Sequence, residues 1–234
     1  MLMTNSSPMA LFLHRLGRQM LRAAAGLFLF AFGIYTQLAA GVGVAPWNVL
    51  SDGFSKVTGL SFGNASILIS IAIVAIDVAM KEPIGVATLM DAFLIGWWVD
   101  LFVWWGPIPL PHSLAMQLFW LIVGVFAVCY GQYLYMGAGL SCGPRDALLV
   151  AVGKRFSKIS IGIVNIALMA LALAAGYVMG GVTGVGTLLT MFCLGSCMDL
   201  VFHLVRFEPR SVHQQGLTET WALYRAARTQ QKEN

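Results

Sequence analysis

The amino-acid sequence predicts an all-α polytopic membrane protein whose six transmembrane helices form a 3+3 inverted repeat. Three observations lead to this prediction. The chain of 234 residues is 59% hydrophobic and only 10% charged, whereas a soluble domain has about 25% charged residues. Runs of about 20 apolar residues recur along it, which is the length that a membrane-spanning helix needs. Finally, the stretch AAGVGVAPWN at residues 39–48 recurs 98 residues later as GAGLSCGPRD.

We expect three spans and one short helix in the first half. Glycines break the first apolar run at Gly41 and Gly43, and Pro46 suits the first position of a new helix because its missing N–H costs nothing there. A helix over residues 46–57 would be only about 18 Å long, too short to cross a bilayer. It must lie in the interface, dip into the membrane and return, or pack against the spans. The spans are predicted at residues 23–40, 62–80 and 84–105.

The second half repeats this order after an uncharged, proline-rich connector at residues 106–111. Gly139 and Gly143 break its first apolar run, and Pro144 begins a short helix that we expect to end near residue 153. A compact basic loop follows this helix. The spans of the second half are predicted at residues 114–136, 159–179 and 182–206.

The third and sixth predicted spans are the most similar parts of the two halves. Aligned from Gly85 and Gly184, they share eight identities in seventeen positions. Apolar helices readily match Leu and Val by chance, but they rarely match Gly, Thr and Asp in register. Because each half has an odd number of spans, the second half enters the membrane from the opposite face. This is the inverted repeat found in many secondary transporters.

The distribution of Lys and Arg predicts that both termini are cytoplasmic. An Arg cluster precedes the first span, whereas the connector and the turn at residues 180–184 carry no Lys or Arg. In the tail, Leu217 and Trp221 would form the apolar side of a short helix on the membrane surface. The predicted organisation is a cytoplasmic basic N-terminus at residues 1–22, a first membrane repeat at 23–110, a second membrane repeat at 111–206 and a cytoplasmic polar tail at 207–234.

The sequence gives little support for metal, cofactor or enzyme chemistry. Cys193 and Cys197 are four residues apart, but there is no CxxC and no His at ligand spacing, so we interpret the cysteines as small apolar residues in packed helices. There is no HExxH, GxSxG, P-loop or glycine-rich dinucleotide motif. We therefore expect no metal, no cofactor and no enzymatic activity. The net charge of +4 comes mostly from the termini and loops, which indicates a membrane face rather than nucleic-acid binding.

Three polar residues at the breaks are candidates for a substrate-binding site. Asn48 follows the first break at the position that Asp146 occupies after the second, and Arg145 stands beside Asp146. An ionisable residue at membrane depth indicates a functional site by default. The structural alternative is that Arg145 and Asp146 pair, with Asp146 satisfying free N–H groups at the start of its helix. If the positive ends of the short helices point inward, they favour an anionic group.

Four further residues belong to the same hypothesis. Asp91 lies about two turns into the third span, where an inward-facing carboxylate would carry a proton or bind a cation. Thr88 and Thr187 occupy matched positions in the two halves, and the alternative to binding is close helix packing with a bond to a backbone carbonyl. Gln37 would line a pathway or form a hydrogen bond between helices.

The motifs around the two breaks also carry a resemblance to a known family. They are Gly143-Pro144-Arg145-Asp146 before the basic loop, Gly184-Val-Gly-Thr-Leu, and Gly41-x-Gly43-x-x-Pro46-Trp47-Asn48. This pattern resembles the YczE/YyaS/YitT family of bacterial integral membrane proteins over most of residues 22–206, with Asn48 where many members have Asp. The resemblance implies a multi-pass protein of the bacterial cytoplasmic (inner) membrane, and it implies little about activity.

The sequence leaves three functional hypotheses. We favour a secondary transporter of a small solute or ion, with a site at the interface of the two repeats. The alternatives are a non-transporting membrane scaffold or regulatory protein and, with less support, a channel. The lipid bilayer is the one partner that composition establishes, and a homodimer stays open because no motif supports or excludes it.

Overall fold

The computed structural model describes residues 7–109, 111–156 and 158–233, and all the regular secondary structure within them is helical. Residues 1–6 of the predicted N-terminal region, residue 110 at the predicted boundary between the repeats and the last residue of the tail lie outside this description. The α-helices are α1 (Pro8–Ala40), α2 (Pro46–Thr58), α3 (Phe62–Ala79), α4 (Val86–Trp105), α5 (Leu114–Met136), α6 (Pro144–Arg155), α7 (Ile161–Val178), α8 (Val185–Leu204) and α9 (Leu217–Glu233).

The predicted spans and short helices are present close to their expected positions. Six of the described helices, namely α1, α3, α4, α5, α7 and α8, are long and apolar enough to cross a membrane. The short helices α2 and α6 have 13 and 12 residues and begin at Pro46 and Pro144, as predicted. The prediction of an all-α protein with six candidate spans is therefore confirmed.

The first helix begins much earlier than its predicted start at residue 23. Ser7 caps α1 by accepting a hydrogen bond from the backbone N–H of Ala10, and Pro8 occupies the first turn. Between these residues and the predicted start at residue 23, the single Gly17 is not enough to end a helix. The basic segment that we expected to precede the first span therefore continues it as one helix of 33 residues.

The tail makes contacts that the sequence did not predict. The ring of Tyr224 in α9 lies 6.1 Å from that of Phe12 in α1. Before α9, the Gln214 side chain accepts a hydrogen bond from the Ser141 N–H at 3.1 Å and donates one to the Met136 carbonyl at 3.1 Å. These bonds satisfy backbone groups that the second break frees from helical bonding. The tail is therefore attached to the second break.

Helices α1 and α5 pack in backbone contact through two pairs of glycines. A methyl group on Gly26 would lie 2.7 Å from the Gly131 carbonyl oxygen, and one on Gly33 would lie 2.6 Å from the Gly124 carbonyl oxygen. Because the earlier residue of α1 meets the later residue of α5, the two helices are antiparallel. Small residues at such a seam let two helices approach closely where lipid provides no hydrophobic drive for association.

Each break pairs with the first turn of the last long helix of the other half. The N–H of Gly186 in α8 donates to the Val42 carbonyl at 2.8 Å, and the N–H of Ala87 in α4 donates to the Leu140 carbonyl at 2.9 Å. These bonds satisfy one N–H at the start of each span and one carbonyl in each break. The two halves are therefore joined through their irregular segments as well as through α1 and α5.

The two halves differ in how their last two spans pack. In the first half, a methyl group on Gly63 or Gly96 would collide with the backbone of the other residue, so α3 and α4 are in backbone contact at this pair. The carboxylate of Asp100 accepts hydrogen bonds from the Ser61 hydroxyl at 2.5 Å and the Gly63 N–H at 2.7 Å. In the second half, Gly162 and Gly195 have no atom within 4 Å of such a methyl group. Helices α7 and α8 are therefore separated.

The glycine seam generates the first prediction. Gly33→Ala places a methyl group against the backbone of α5, which cannot move aside, so we expect a loss of about 1–3 kcal/mol of stability. Gly17→Ala is the matched control, because nothing lies within 4 Å of its added methyl group. It should keep or raise the thermal midpoint of the purified protein in detergent, since Ala favours helix over Gly by up to about 1 kcal/mol. Equal midpoints for the two variants would contradict the seam.

Candidate functional site

A cavity of about 410 Å³ lies between helices of both halves. Its polar side chains come from α1, α2, α4, α5, α6, α7 and α8. They are Gln37, Asn48, Asp91, Gln132, Tyr135, Arg145, Asp146, Asn165 and Thr190. The cavity therefore joins the candidate residues of both breaks with those of the surrounding spans, at a size typical of small-molecule sites.

The two breaks direct their short helices at this cavity. Both helices begin with proline, and the N-cap residues Ala45 and Gly143 provide no side-chain cap. Residues Ala45 to Asn48 and Gly143 to Asp146 include lining residues at each N-terminus. The helix ends therefore direct the positive end of the helix dipole toward the cavity.

Left-handed glycines shape both breaks. Gly41, Gly43 and Gly139 have φ values of +70°, +107° and +70°, which residues with a Cβ rarely adopt. Gly143 has no such requirement, since its φ is −66°. It is needed for space, because a methyl group there would lie 2.6 Å from a carboxylate oxygen of Asp91.

Arg145 lies against the aromatic face of Trp47. Its guanidinium carbon is 5.6 Å from the ring centroid, within the range of a cation–π contact. Trp47 and Arg145 are equivalent positions in the two copies of the repeated stretch. Among the described residues, no hydrogen bond and no ion pair engages the guanidinium. Its donors are therefore available to a ligand in the cavity.

Two carboxylates share the cavity with Arg145. Asp146 accepts a hydrogen bond from the Tyr135 hydroxyl at 2.8 Å. Asp91 lies against Gly143, and no hydrogen bond or ion pair to its carboxylate occurs in the part of the chain that the structure describes. The structural alternative, in which Arg145 pairs with Asp146, is not seen, because no ion pair within 4.0 Å joins the two side chains. The site therefore contains one cation and one anion that lack partners.

Asn48 adds an unsatisfied amide. Its side chain lines the cavity, the residue is only 4% exposed, and its Oδ1 atom accepts no hydrogen bond. A buried polar atom without a partner costs about 1–3 kcal/mol. Gln37 is satisfied in part, because its Oε1 accepts a long hydrogen bond of 3.4 Å from the Ala45 N–H.

The structure brings together five of the seven candidate binding residues and places the two threonines elsewhere. Thr88 donates a hydrogen bond to the Cys142 carbonyl at 2.7 Å and accepts one from the Gly85 N–H at 3.2 Å. Thr187 accepts a hydrogen bond from the Gly184 N–H at 3.3 Å. Both side chains are buried and neither lines the cavity. Their contacts are the structural alternative that the sequence left open.

Two features of the interior were not predicted from the sequence. Tyr135 lines the cavity, and the signal that points to it is its alignment with Gln37 in the repeat. Asp77 lies outside the cavity lining but is completely buried, and neither of its carboxylate oxygens has a hydrogen-bond partner. Because Lys81 follows four residues later, the sequence around Asp77 has the pattern of an exposed helix end. The sequence therefore gives no sign that Asp77 is buried.

These features define a multi-pass α-helical membrane protein with an internal cavity lined by both polar and apolar side chains. The chain belongs to a family of unknown function, DUF6198, whose model matches residues 17–203.

Three uncharacterised bacterial proteins are similar to this chain. An uncharacterised protein of Haemophilus influenzae is 28% identical over 75% of this chain and 79% of its own length. The uncharacterised membrane protein YczE of Bacillus subtilis is 30% identical over 73% of this chain and 79% of its own. The uncharacterised protein YyaS of the same organism is 31% identical over 76% and 88%. The predicted YczE/YyaS family membership is confirmed, and no solved structure matches the chain.

The threonine contacts generate the second prediction. Thr88→Val removes a hydrogen bond that crosses from α4 to the second break and leaves the Cys142 carbonyl without that donor. We expect a loss of about 1–2 kcal/mol of stability. Thr187→Val is the matched change in the other half, where no donated bond to the first break occurs among the described residues, and it should cost less. Thermal unfolding of the purified variants measures the difference, and an equal or larger loss for Thr187→Val would contradict this account.

Proposed function

We propose that the protein is a secondary transporter of a small solute, built as a 3+3 inverted repeat with its site at the repeat interface. The observation that carries this proposal is the cavity itself, where the N-termini of two short helices, one from each half, meet among polar groups without partners. Discontinuous helices whose N-termini face a central site are a recurring feature of transporters built in this way.

Support for the inverted repeat comes from contacts that occur in pairs. In the 98-residue repeat, Gly26 of the first half is equivalent to Gly124 of the second, and Gly131 of the second half is equivalent to Gly33 of the first. The contact of Gly26 with Gly131 therefore has the contact of Gly124 with Gly33 as its counterpart. Both contacts are present. This exchange of equivalent residues is what a twofold axis in the membrane plane produces when it passes between antiparallel α1 and α5.

Polar contacts follow the same exchange. Lys56 at the end of α2 donates to the Gly180 carbonyl at 2.9 Å, and Lys154, which is 98 residues later, binds the Glu82 carboxylate at 2.8 Å. The equivalent residues Trp47 and Arg145 contact each other, as expected of positions that lie close to such an axis. Apolar packing alone does not require these polar pairs to correspond.

The packing difference between the halves supports a transport cycle. Two halves of similar sequence have different conformations here, with α3 against α4 and α7 apart from α8. In an inverted repeat, exchanging these two conformations would close the cavity on one side of the membrane and open it on the other. We propose that the separated α7 and α8 form the open side of this structure, since Met169, Met191 and Met198 on these helices line the cavity.

We also propose a location and an orientation for the protein in the cell. The positive-inside rule and the bacterial relatives favour the cytoplasmic (inner) membrane with both termini in the cytoplasm.

The unpaired polar groups of the cavity would serve a scaffold or a regulatory membrane protein only if they bound a ligand without moving it across the membrane. A channel would need a continuous path across the membrane, and we propose instead that the contact of α3 with α4 closes one side. We propose neither an enzymatic activity nor a cofactor.

Flux through proteoliposomes provides the third prediction. Among a panel of ions and metabolites, the wild-type protein should move at least one solute at a saturable rate. Arg145→Gln should lower this rate by about tenfold or more, because a charged hydrogen-bond donor at the site is lost. Trp47→Phe keeps an aromatic ring and should retain most of the rate.

The other outcomes of this flux experiment would contradict the proposed site or favour another function. Equal rates for the two variants would contradict a site at the breaks. Absence of flux and of thermal stabilisation across the panel would overturn the transport proposal in favour of a scaffold or regulatory protein. A conductance that does not saturate would favour a channel.

A further inference from the structure

We propose that the cavity binds a small zwitterion with an apolar body, that is, a molecule with an ammonium group, a carboxylate and a hydrocarbon or aromatic portion. This inference rests on the proposed function for transport, but binding alone tests it. It narrows the expectation of an anionic solute, because the site offers unpaired groups of both signs.

The charges of the cavity are complementary to both ends of a zwitterion. Arg145 has free donors for a carboxylate, and Asp91 has free acceptors for an ammonium group. No ion pair within 4.0 Å joins the two side chains among the described residues. A ligand with both charges can lie between them and satisfy both. It also brings no net charge into a low-dielectric site, whereas a simple anion or cation does.

Asn48 provides the independent observation that a ligand belongs here. Its buried Oδ1 atom has no donor, and the residue lines the same cavity at the start of α2. An ammonium group has three donors, so it can serve the Asn48 amide in addition to a carboxylate. The positive end of the α2 dipole suits the carboxylate of the same ligand.

The remaining walls fit the apolar body. Phe30, Ile34 and Val128 form one part of the lining, and three methionines of α7 and α8 form another. Methionine adapts to irregular shapes because its side chain is unbranched and flexible. A cavity of about 410 Å³ accommodates a ligand of the size of an aromatic amino acid.

Three ligands that share a phenylethyl body and differ in their charged groups test the inference. Phenylalanine has both charged groups, 2-phenylethylammonium has only the cation, and 3-phenylpropionate has only the anion. We expect the purified wild-type protein in detergent to bind phenylalanine about tenfold or more tightly than either of the others in calorimetry, since each removes one charged contact.

The variants assign each end of the ligand. Asp91→Asn should weaken phenylalanine and 2-phenylethylammonium but not 3-phenylpropionate. Arg145→Gln should weaken phenylalanine and 3-phenylpropionate but not 2-phenylethylammonium. Asp199→Asn is the matched control for charge, because Asp199 is exposed and lies outside the cavity lining. It should leave all three affinities unchanged.

The outcomes separate this inference from the proposed function. Equal binding of all three ligands, preference for a singly charged one, or binding of none would overturn the zwitterion inference, while saturable flux of another solute would leave transport standing. Phenylalanine binding with the predicted pattern but without flux of any zwitterion would keep the site and overturn transport. Loss of all binding in both site variants, with lowered thermal midpoints, would show a structural effect and contradict the assignment.

Discussion

The close antiparallel packing of α1 and α5 is the contact on which the rest of the structure depends. Lipid tails are as apolar as the side chains that face them, so spans associate through close fit rather than through the hydrophobic effect. Gly26 and Gly33 allow α1 to meet α5 at backbone distance. Because these helices lead directly into the two breaks, their contact also brings the N-termini of α2 and α6 to one cavity.

The cavity contains polar side chains, and removing such groups from water is unfavourable unless they find a partner. Asn48 has a buried amide oxygen without a hydrogen-bond partner, and among the described residues no ion pair engages Asp91 or Arg145, whose guanidinium lies over the Trp47 ring. In our proposal, a ligand takes the place of the missing partners. The proposed function and the zwitterion inference both depend on this absence of partners among the described residues.

The sequence predicted the elements that local composition determines. Apolar runs located the six spans, and proline after glycine located α2 and α6. The repeat alignment pointed to Asn48, Arg145 and Asp146 as neighbours in space, which they are. It did not predict that the tail attaches to the second break or that Asp77 is buried, because both depend on contacts between segments far apart in the chain. No periodicity or motif records such contacts.

The central claim is that the two halves enter the membrane from opposite faces, so that their short helices reach one cavity from opposite sides. Single cysteines after each short helix, Leu60→Cys and Lys158→Cys, test it most directly in a chain whose four native cysteines are replaced. With a membrane-impermeant thiol reagent, this account predicts that Leu60→Cys reacts in intact cells and that Lys158→Cys reacts only after the membrane is permeabilised. Reaction of both from the same side would contradict it.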